Sequence, residues 1–94
     1  MENYLQEYYG LECPICEAMR TQLDKLEAEL GVGIDRFEVW HNPDNMAKVE
    51  QFEKEKGIEI KGIPFFYNKQ TGGILFGSVP YKKLKAWALG QTDI

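Results

Sequence analysis

The two cysteines of the chain lie two residues apart, in the stretch ECPICE over residues 12–17. Such a pair can form a reversible disulfide, supply half of a zinc site, or be two small buried side chains. A zinc or iron–sulfur site needs about four ligands. The sequence adds only one histidine, His41, and no third cysteine. We therefore predict no metal site and favour a redox pair.

The cysteine pair opens a predicted helix. Pro14 suits the first helical position, Gly31 suits the residue after the last, and apolar residues recur at spacings of three and four up to Leu30. Cys13 then lies beside the free N–H groups and the positive end of the helix dipole, which favour a thiolate. Cys16, one turn further on, can attack a mixed disulfide on Cys13 and release the partner. We also expect an exposed helix tip to make burial of both thiols difficult, which argues against two inert core residues.

Glu12 and Glu17 flank the pair, and their negative charges oppose a thiolate on Cys13. An exposed carboxylate at this range contributes up to about 1 kcal/mol, which is comparable with the helix dipole. The sequence therefore leaves the sign of the net shift in the Cys13 pKa open.

The rest of the chain alternates strands and helices. We predict strands over Asn3–Tyr9 and Asp35–Trp40, a second helix capped by Asn42 or Asp44 and ending near Lys56, a hairpin of Gly62–Tyr67 and Gly73–Gly77, and a closing helix from about Pro80 to Leu89. The second helix should face inward with Met46, Val49 and Phe52, while Trp40 and His41 should make packing and turn contacts. The order β-α-β-α-β-β-α predicts an α/β fold with a four-stranded mixed sheet and three flanking helices.

Length and composition restrict the class of protein. A chain of 94 residues with 44% hydrophobic residues can form one domain, over residues 1–94, but not two separate cores. The net charge of −4 argues against a nucleic-acid partner. No apolar run approaches the roughly 18 residues of a membrane span, and the N-terminus lacks the pattern of a signal peptide. We expect a cytoplasmic monomer with no membrane partner.

The element order, the Cys13-Pro14-Ile15-Cys16 motif and the Gly62-Ile63-Pro64 stretch together resemble the thioredoxin-like disulfide oxidoreductases. The resemblance extends from about Asn3 to Leu89 and follows the minimal version of that fold. It implies a cis peptide bond before Pro64, opposite the cysteine pair, and an Ile63 backbone that can pair with an extended substrate segment.

The same resemblance implies roles for two charged residues. Glu7, six residues before Cys13, matches the family's buried acid, whose raised pKa would let it pass protons to and from Cys16. Arg36 matches the position of a basic partner for that acid. If the two paired, the arginine would lower the pKa of Glu7 again.

The activity implied is exchange of electrons with protein disulfides, with Cys13 as nucleophile and Cys16 as resolving thiol. Tyr9, Pro14, Ile15, Ile63 and Pro64 would contact the substrate. No bound cofactor is implied, because an upstream thiol reductase or glutathione would return the pair to the dithiol form. Two alternatives remain: a glutathione-coupled, glutaredoxin-like reductase, and a non-catalytic redox-sensing or binding module. The family's usual Trp before the first cysteine is replaced here by Glu12.

Overall fold

The computed structural model describes residues 3–91. The strands are β1 (Leu5–Tyr9), β2 (Ile34–Glu38), β3 (Phe65–Asn68) and β4 (Ile74–Phe76), and the helices are α1 (Pro14–Leu30), α2 (Pro43–Lys56) and α3 (Tyr81–Ala88). The predicted order β-α-β-α-β-β-α is confirmed. None of the helices in this part of the chain has the length and apolar character needed to cross a membrane.

The four strands form one mixed sheet in the order β2-β1-β3-β4. β1 runs parallel to β2 and antiparallel to β3, and β3 runs antiparallel to β4. β1 is therefore an inner strand whose carboxyl end leads directly into the cysteine pair. The predicted α/β fold with a four-stranded mixed sheet and three helices is confirmed.

The ends of α1 and α2 follow from local chemistry. Both helices begin with proline at the first helical position, where no N–H is required. Both end at a glycine with φ of 65°, the left-handed conformation that glycine adopts without strain. The Asn42 side chain caps α2 by accepting hydrogen bonds from the N–H groups of Asp44 and Asn45.

The sheet separates two apolar clusters. Leu5 and Phe66 lie in the cluster that includes buried side chains of α1 and α3, among them Leu23 and Trp87. Tyr8 and Phe65 lie in the other cluster, together with Phe52 of α2. Since neighbouring residues of a strand point to opposite faces, β1 directs Leu5 and Glu7 toward α1 and Tyr8 toward α2.

Several predicted details of the elements are wrong, and β1 starts at Leu5 instead of Asn3. β2 starts one residue before Asp35 and ends at Glu38 instead of Trp40, because the chain turns away there toward the Asn42 cap. β3 starts at Phe65 instead of Gly62, since Pro64 has no N–H to donate to the sheet. Met46 is 41% exposed, because it lies in the first turn of α2 beside Trp40 and not over the sheet.

Asn68, at the end of β3, is a buried polar residue that the sequence analysis did not single out. Its side chain is 1% exposed and donates a hydrogen bond of 3.0 Å to the carbonyl of Trp87, near the end of α3. Its amide oxygen accepts from the backbone N–H groups of Gln70 and Thr71, at 2.9 and 3.3 Å. One side chain thus joins the hairpin turn to the last helix.

We expect Asn68→Ala to lower the free energy of unfolding by about 2 kcal/mol, because it removes the hydrogen bonds from the Gln70 and Thr71 N–H groups and to the Trp87 carbonyl. Urea unfolding measures this change. The control is Gln70→Ala, since the neighbouring Gln70 is exposed and contributes only its backbone to this network. Its expected effect is below about 0.5 kcal/mol. Equal effects of the two substitutions would contradict the assigned role of Asn68.

Candidate functional site

Cys13 and Cys16 form a disulfide at the start of α1, with their Cα atoms 5.2 Å apart. Cys13 is the N-cap of the helix, and its sulfur accepts a hydrogen bond of 3.1 Å from the backbone N–H of Cys16. In the reduced protein the same N–H group and the helix dipole favour a thiolate on Cys13. The predicted position of the pair at the junction of strand and helix therefore matches the structure.

The expectation that both cysteines would be hard to bury is wrong. Cys13 is 7% exposed and Cys16 is 4% exposed. The chain makes a tight turn before the helix, with the Cys13 N–H donating to the Gly10 carbonyl at 3.2 Å. Pro14 and Ile15, between the two cysteines, remain on the surface.

Glu7 is buried, as the resemblance implied. It is 3% exposed and lines a cleft of about 230 Å³ together with Tyr9, Cys16 and Arg20. Burial raises the pKa of Glu7 to about 7, although the positive charges of Arg36 and Arg20 act to lower it. The carboxyl group beside the resolving cysteine can therefore change its protonation state near neutral pH.

Arg36 lies directly opposite Glu7 in the register of β1 and β2. Its guanidinium nevertheless binds two acids of α1, Asp24 at 2.9 Å and Glu27 at 2.7 Å. Within residues 3–91, no ion pair joins Arg36 to Glu7. The pairing considered in the sequence analysis is therefore not formed, and Asp24 and Glu27 hold the arginine instead.

The Ile63–Pro64 peptide bond is cis. Pro64 is fully buried, and its carbonyl accepts a hydrogen bond of 2.8 Å from the Gly77 N–H. Ile63 precedes the first paired residue of β3, so its backbone lies outside the hydrogen-bond ladder of the sheet. Ile63, Phe76 and Gly77 line an open cleft of about 420 Å³ in which the charged side chains are Glu59 and Lys61.

Gly10 explains how the segment before α1 meets the Ile63 loop. A Cβ atom at this position would lie 2.4 Å from the Trp40 ring and 2.8 Å from the Ile63 side chain. Trp40 thus packs on the backbone of Gly10 while 53% of its surface stays exposed. The close approach depends on a tertiary contact that has no local sequence signal.

Both acids that flank the cysteines have side-chain partners. The Glu12 carboxylate accepts from His41 Nε2 at 2.7 and 2.8 Å. Glu17 forms an ion pair of 3.1 Å with Arg20, three residues further along α1. The spacing of Glu17 and Arg20 is visible in the sequence. The partnership of Glu12 with His41, 29 residues away, was missed, although His41 does make a contact at a turn as predicted.

The site contains no obvious place for a metal ion. Among the residues that the structure describes, no group of three or more His, Cys, Asp or Glu side chains is arranged to bind one. The groups that the structure places at this site are two sulfurs, a buried carboxyl group and the surrounding backbone.

No protein-family model matches the sequence, and no curated protein matches it either. The solved structures that do match define the class: the chain has a thioredoxin-like fold with a CxxC pair. One of these structures is the glutaredoxin Grx-1 from Archaeoglobus fulgidus, with a TM-score of 0.64 and 16% identity over 90% of this chain and 85% of that one. Another is thioredoxin-2, a component of the malaria parasite protein secretion machinery, with a TM-score of 0.59 and 22% identity over 92% of this chain and 82% of that one. At these identities the likeness shows the shared fold, and it supports the resemblance seen in the sequence.

Proposed function

We propose that this chain is a thiol–disulfide oxidoreductase that exchanges electrons with disulfides of other proteins. The observation that carries the proposal is the Cys13–Cys16 disulfide at the N-terminus of α1, with the buried Glu7 lining the same cleft as Cys16. A pair with only a structural role would not need a titratable carboxyl group buried beside it, because burying such a group is costly.

The proposed reduction proceeds in two exchanges. The Cys13 thiolate attacks one sulfur of the substrate disulfide, forms a mixed disulfide and displaces the other substrate sulfur as a thiolate. The Cys16 thiolate then attacks the Cys13 sulfur, which releases the second substrate sulfur and forms the Cys13–Cys16 disulfide. The substrate gains two electrons and two protons, and the pair on the protein loses them. The same two exchanges in the reverse direction oxidise a substrate dithiol.

Glu7 supports the second exchange in this proposal. Cys16 must lose its proton before it attacks, and a carboxylate with a pKa near neutrality can accept that proton. In the reverse direction, the protonated carboxyl returns it to Cys16. The open cleft beside Glu7 lets water carry the proton to and from the surface.

The proposed substrate surface surrounds the disulfide. Pro14 and Ile15 are exposed between the cysteines, and Tyr9 is half-buried in the neighbouring cleft. On the other side, the backbone of Ile63 is free of the sheet ladder before the buried Pro64. An extended substrate segment can bind there through main-chain hydrogen bonds, which accept many different side chains.

The proposal requires no bound cofactor, because the electrons travel on the two thiols. An upstream thiol reductase or glutathione must return the pair to the dithiol form. We propose that the protein acts as a cytoplasmic monomer, where such donors are present. The glutathione-coupled alternative draws support from the cleft beside Ile63, where Lys61 can bind a carboxylate of the tripeptide.

Reduction of insulin disulfides, followed by turbidity, tests the proposal and separates its alternatives. We expect turnover when the pair is recharged by dithiothreitol or by a thioredoxin reductase. Turnover with glutathione and glutathione reductase alone would favour the glutaredoxin-like alternative. An absence of turnover with every donor, together with an oxidised form that changes binding of a partner, would replace the enzyme by a redox-sensing module.

A further inference from the structure

The loop that follows β2 is fastened to the segment that precedes Cys13. The Glu38 carboxylate accepts from the Leu11 backbone N–H at 3.0 Å and from the His41 backbone N–H at 2.7 Å. The Val39 N–H also donates to the Tyr9 carbonyl at 2.8 Å. These three hydrogen bonds fix the position of the His41 backbone relative to residues 9–12.

The His41 side chain completes this connection by reaching the residue next to the nucleophile. Its Nε2 atom lies 2.7 and 2.8 Å from the two oxygens of the Glu12 carboxylate. Glu12 immediately precedes Cys13, so a charge on its carboxylate acts on the Cys13 sulfur at short range. The groups that face His41 with a negative charge are Glu12, from the segment before α1, and Glu38, from β2.

We propose that His41 is a positioning residue for Cys13: its imidazole holds the Glu12 carboxylate and, while protonated, offsets the negative charge that opposes the Cys13 thiolate. This inference rests on the proposed function, since it concerns the reactivity of the same nucleophile. On this proposal, the fraction of Cys13 present as thiolate also depends on the proton of His41, which lies 28 residues further along the chain.

The electrostatics of the pair agree with this arrangement. The hydrogen bond to Glu12 and the negative charges of Glu12 and Glu38 raise the pKa of His41 above its usual 6.5, against a lowering by partial desolvation. His41 therefore stays protonated to a higher pH than a free histidine. When His41 loses its proton at higher pH, the Glu12 charge is no longer offset. The Cys13 thiolate then loses the stabilisation that the protonated imidazole provides.

Glu17 provides a matched comparison within the same helix tip. It also lies next to a cysteine, but its partner is Arg20, which keeps its charge at every pH of interest. The electrostatic effect on Cys13 of replacing Glu17 should therefore be the same at all pH values. Replacing His41 should shift it only where the imidazole is protonated.

The test measures alkylation of Cys13 by iodoacetamide between pH 5.5 and 9, at low ionic strength, in a Cys16→Ser background with a single thiol. We expect His41→Gln, which keeps a hydrogen-bond donor but no charge, to reduce the alkylation rate about twofold to fivefold at low pH and not at pH 9. We expect Glu12→Gln to increase the rate. In the Glu12→Gln background at pH 7, His41→Gln should have no further effect.

His41 is the only histidine in the chain, so its proton NMR titration can be followed without ambiguity. We expect its pKa to fall in Glu12→Gln and to stay unchanged in Glu17→Gln. Equal alkylation profiles for the wild type and His41→Gln, or the same His41→Gln effect with and without Glu12, would overturn the proposal. None of these measurements requires a substrate or turnover, so the inference can fail while the proposed function stands, and the reverse also holds.

Discussion

We expect Cys13→Ser to abolish the reduction of insulin disulfides and Cys16→Ser to stop the reaction after its first exchange. Cys13 is the N-cap of α1, where a backbone N–H and the helix dipole stabilise its thiolate. Cys16 instead lines the same cleft as Glu7, and in the proposed reaction it resolves the mixed disulfide. We therefore expect the Cys13→Ser rate to equal that of the reductant alone.

The Cys16→Ser variant distinguishes the two roles more directly. It should accumulate a mixed disulfide between Cys13 and a peptide that carries a disulfide, since no second thiol is present to release it. Mass spectrometry of the intact protein measures the adduct. The matched control is Cys13→Ser under the same conditions, which should form little adduct. A stable adduct on Cys16 of the control, with none on Cys13 of the test variant, would reverse the assignment of nucleophile and resolving thiol.

We expect Glu7→Gln to make the oxidised protein more stable at pH 8, by about 3 kcal/mol, and to leave its stability nearly unchanged at pH 4. The reason is that burial raises the pKa of Glu7 from its ordinary value of 4.5 to about 7. Below pH 4.5 the carboxyl is protonated in both the folded and the unfolded chain. Between pH 4.5 and 7 the unfolded chain loses its proton first, so the wild-type free energy of unfolding falls as pH rises. Above pH 7 the buried carboxylate carries its full cost.

Urea unfolding of the two proteins from pH 4 to 8 measures this difference, and other titrating groups cancel when the variants are compared. Glu50→Gln removes one negative charge at an exposed position of α2 and serves as the control. It should leave the pH dependence in place. A Glu7→Gln effect of equal size at pH 4 and pH 8 would mean that the carboxyl does not titrate between the two.

The same substitution has a cost for catalysis. Without a carboxylate beside Cys16, release of the substrate from the mixed disulfide should slow by about tenfold or more at neutral pH.

Asp24→Asn provides a complementary test of the titration of Glu7. It removes one of the two ion pairs of Arg36 and a negative charge that raises the pKa of Glu7. The pH range over which the free energy of unfolding falls should therefore move to lower pH.

Features set by local chemistry could be predicted from the sequence. The limits of α1 agree at both ends, Pro14 and Leu30, because proline and glycine mark the boundaries with backbone requirements of their own. The burial of Glu7 followed from its position on β1 and from the resemblance. The placement of Cys13 at the start of α1 followed from Pro14 as the first helical residue.

Features that depend on distant partners could not be predicted. Arg36 faces Glu7 across the strands but binds Asp24 and Glu27, and only the packing of α1 against the sheet brings those acids within reach. Met46 continues the helical spacing of Val49, but it lies beside the exposed Trp40 and stays exposed itself. The contact between Glu12 and His41 joins two loops whose approach is set by the parallel pairing of β1 and β2.

The position of β1 beside β3 also concerns how the protein is made. Leu5 pairs with Asn68 and Tyr8 pairs with Phe65, so the two inner strands of the sheet are separated along the chain by α1, β2 and α2. During synthesis from the N-terminus, Cys13 and Cys16 leave the ribosome long before β3 exists to pair with β1. Until then neither thiol has its folded surroundings. A nascent chain therefore presents two reactive sulfurs without the buried acid and the neighbouring loop that later govern them.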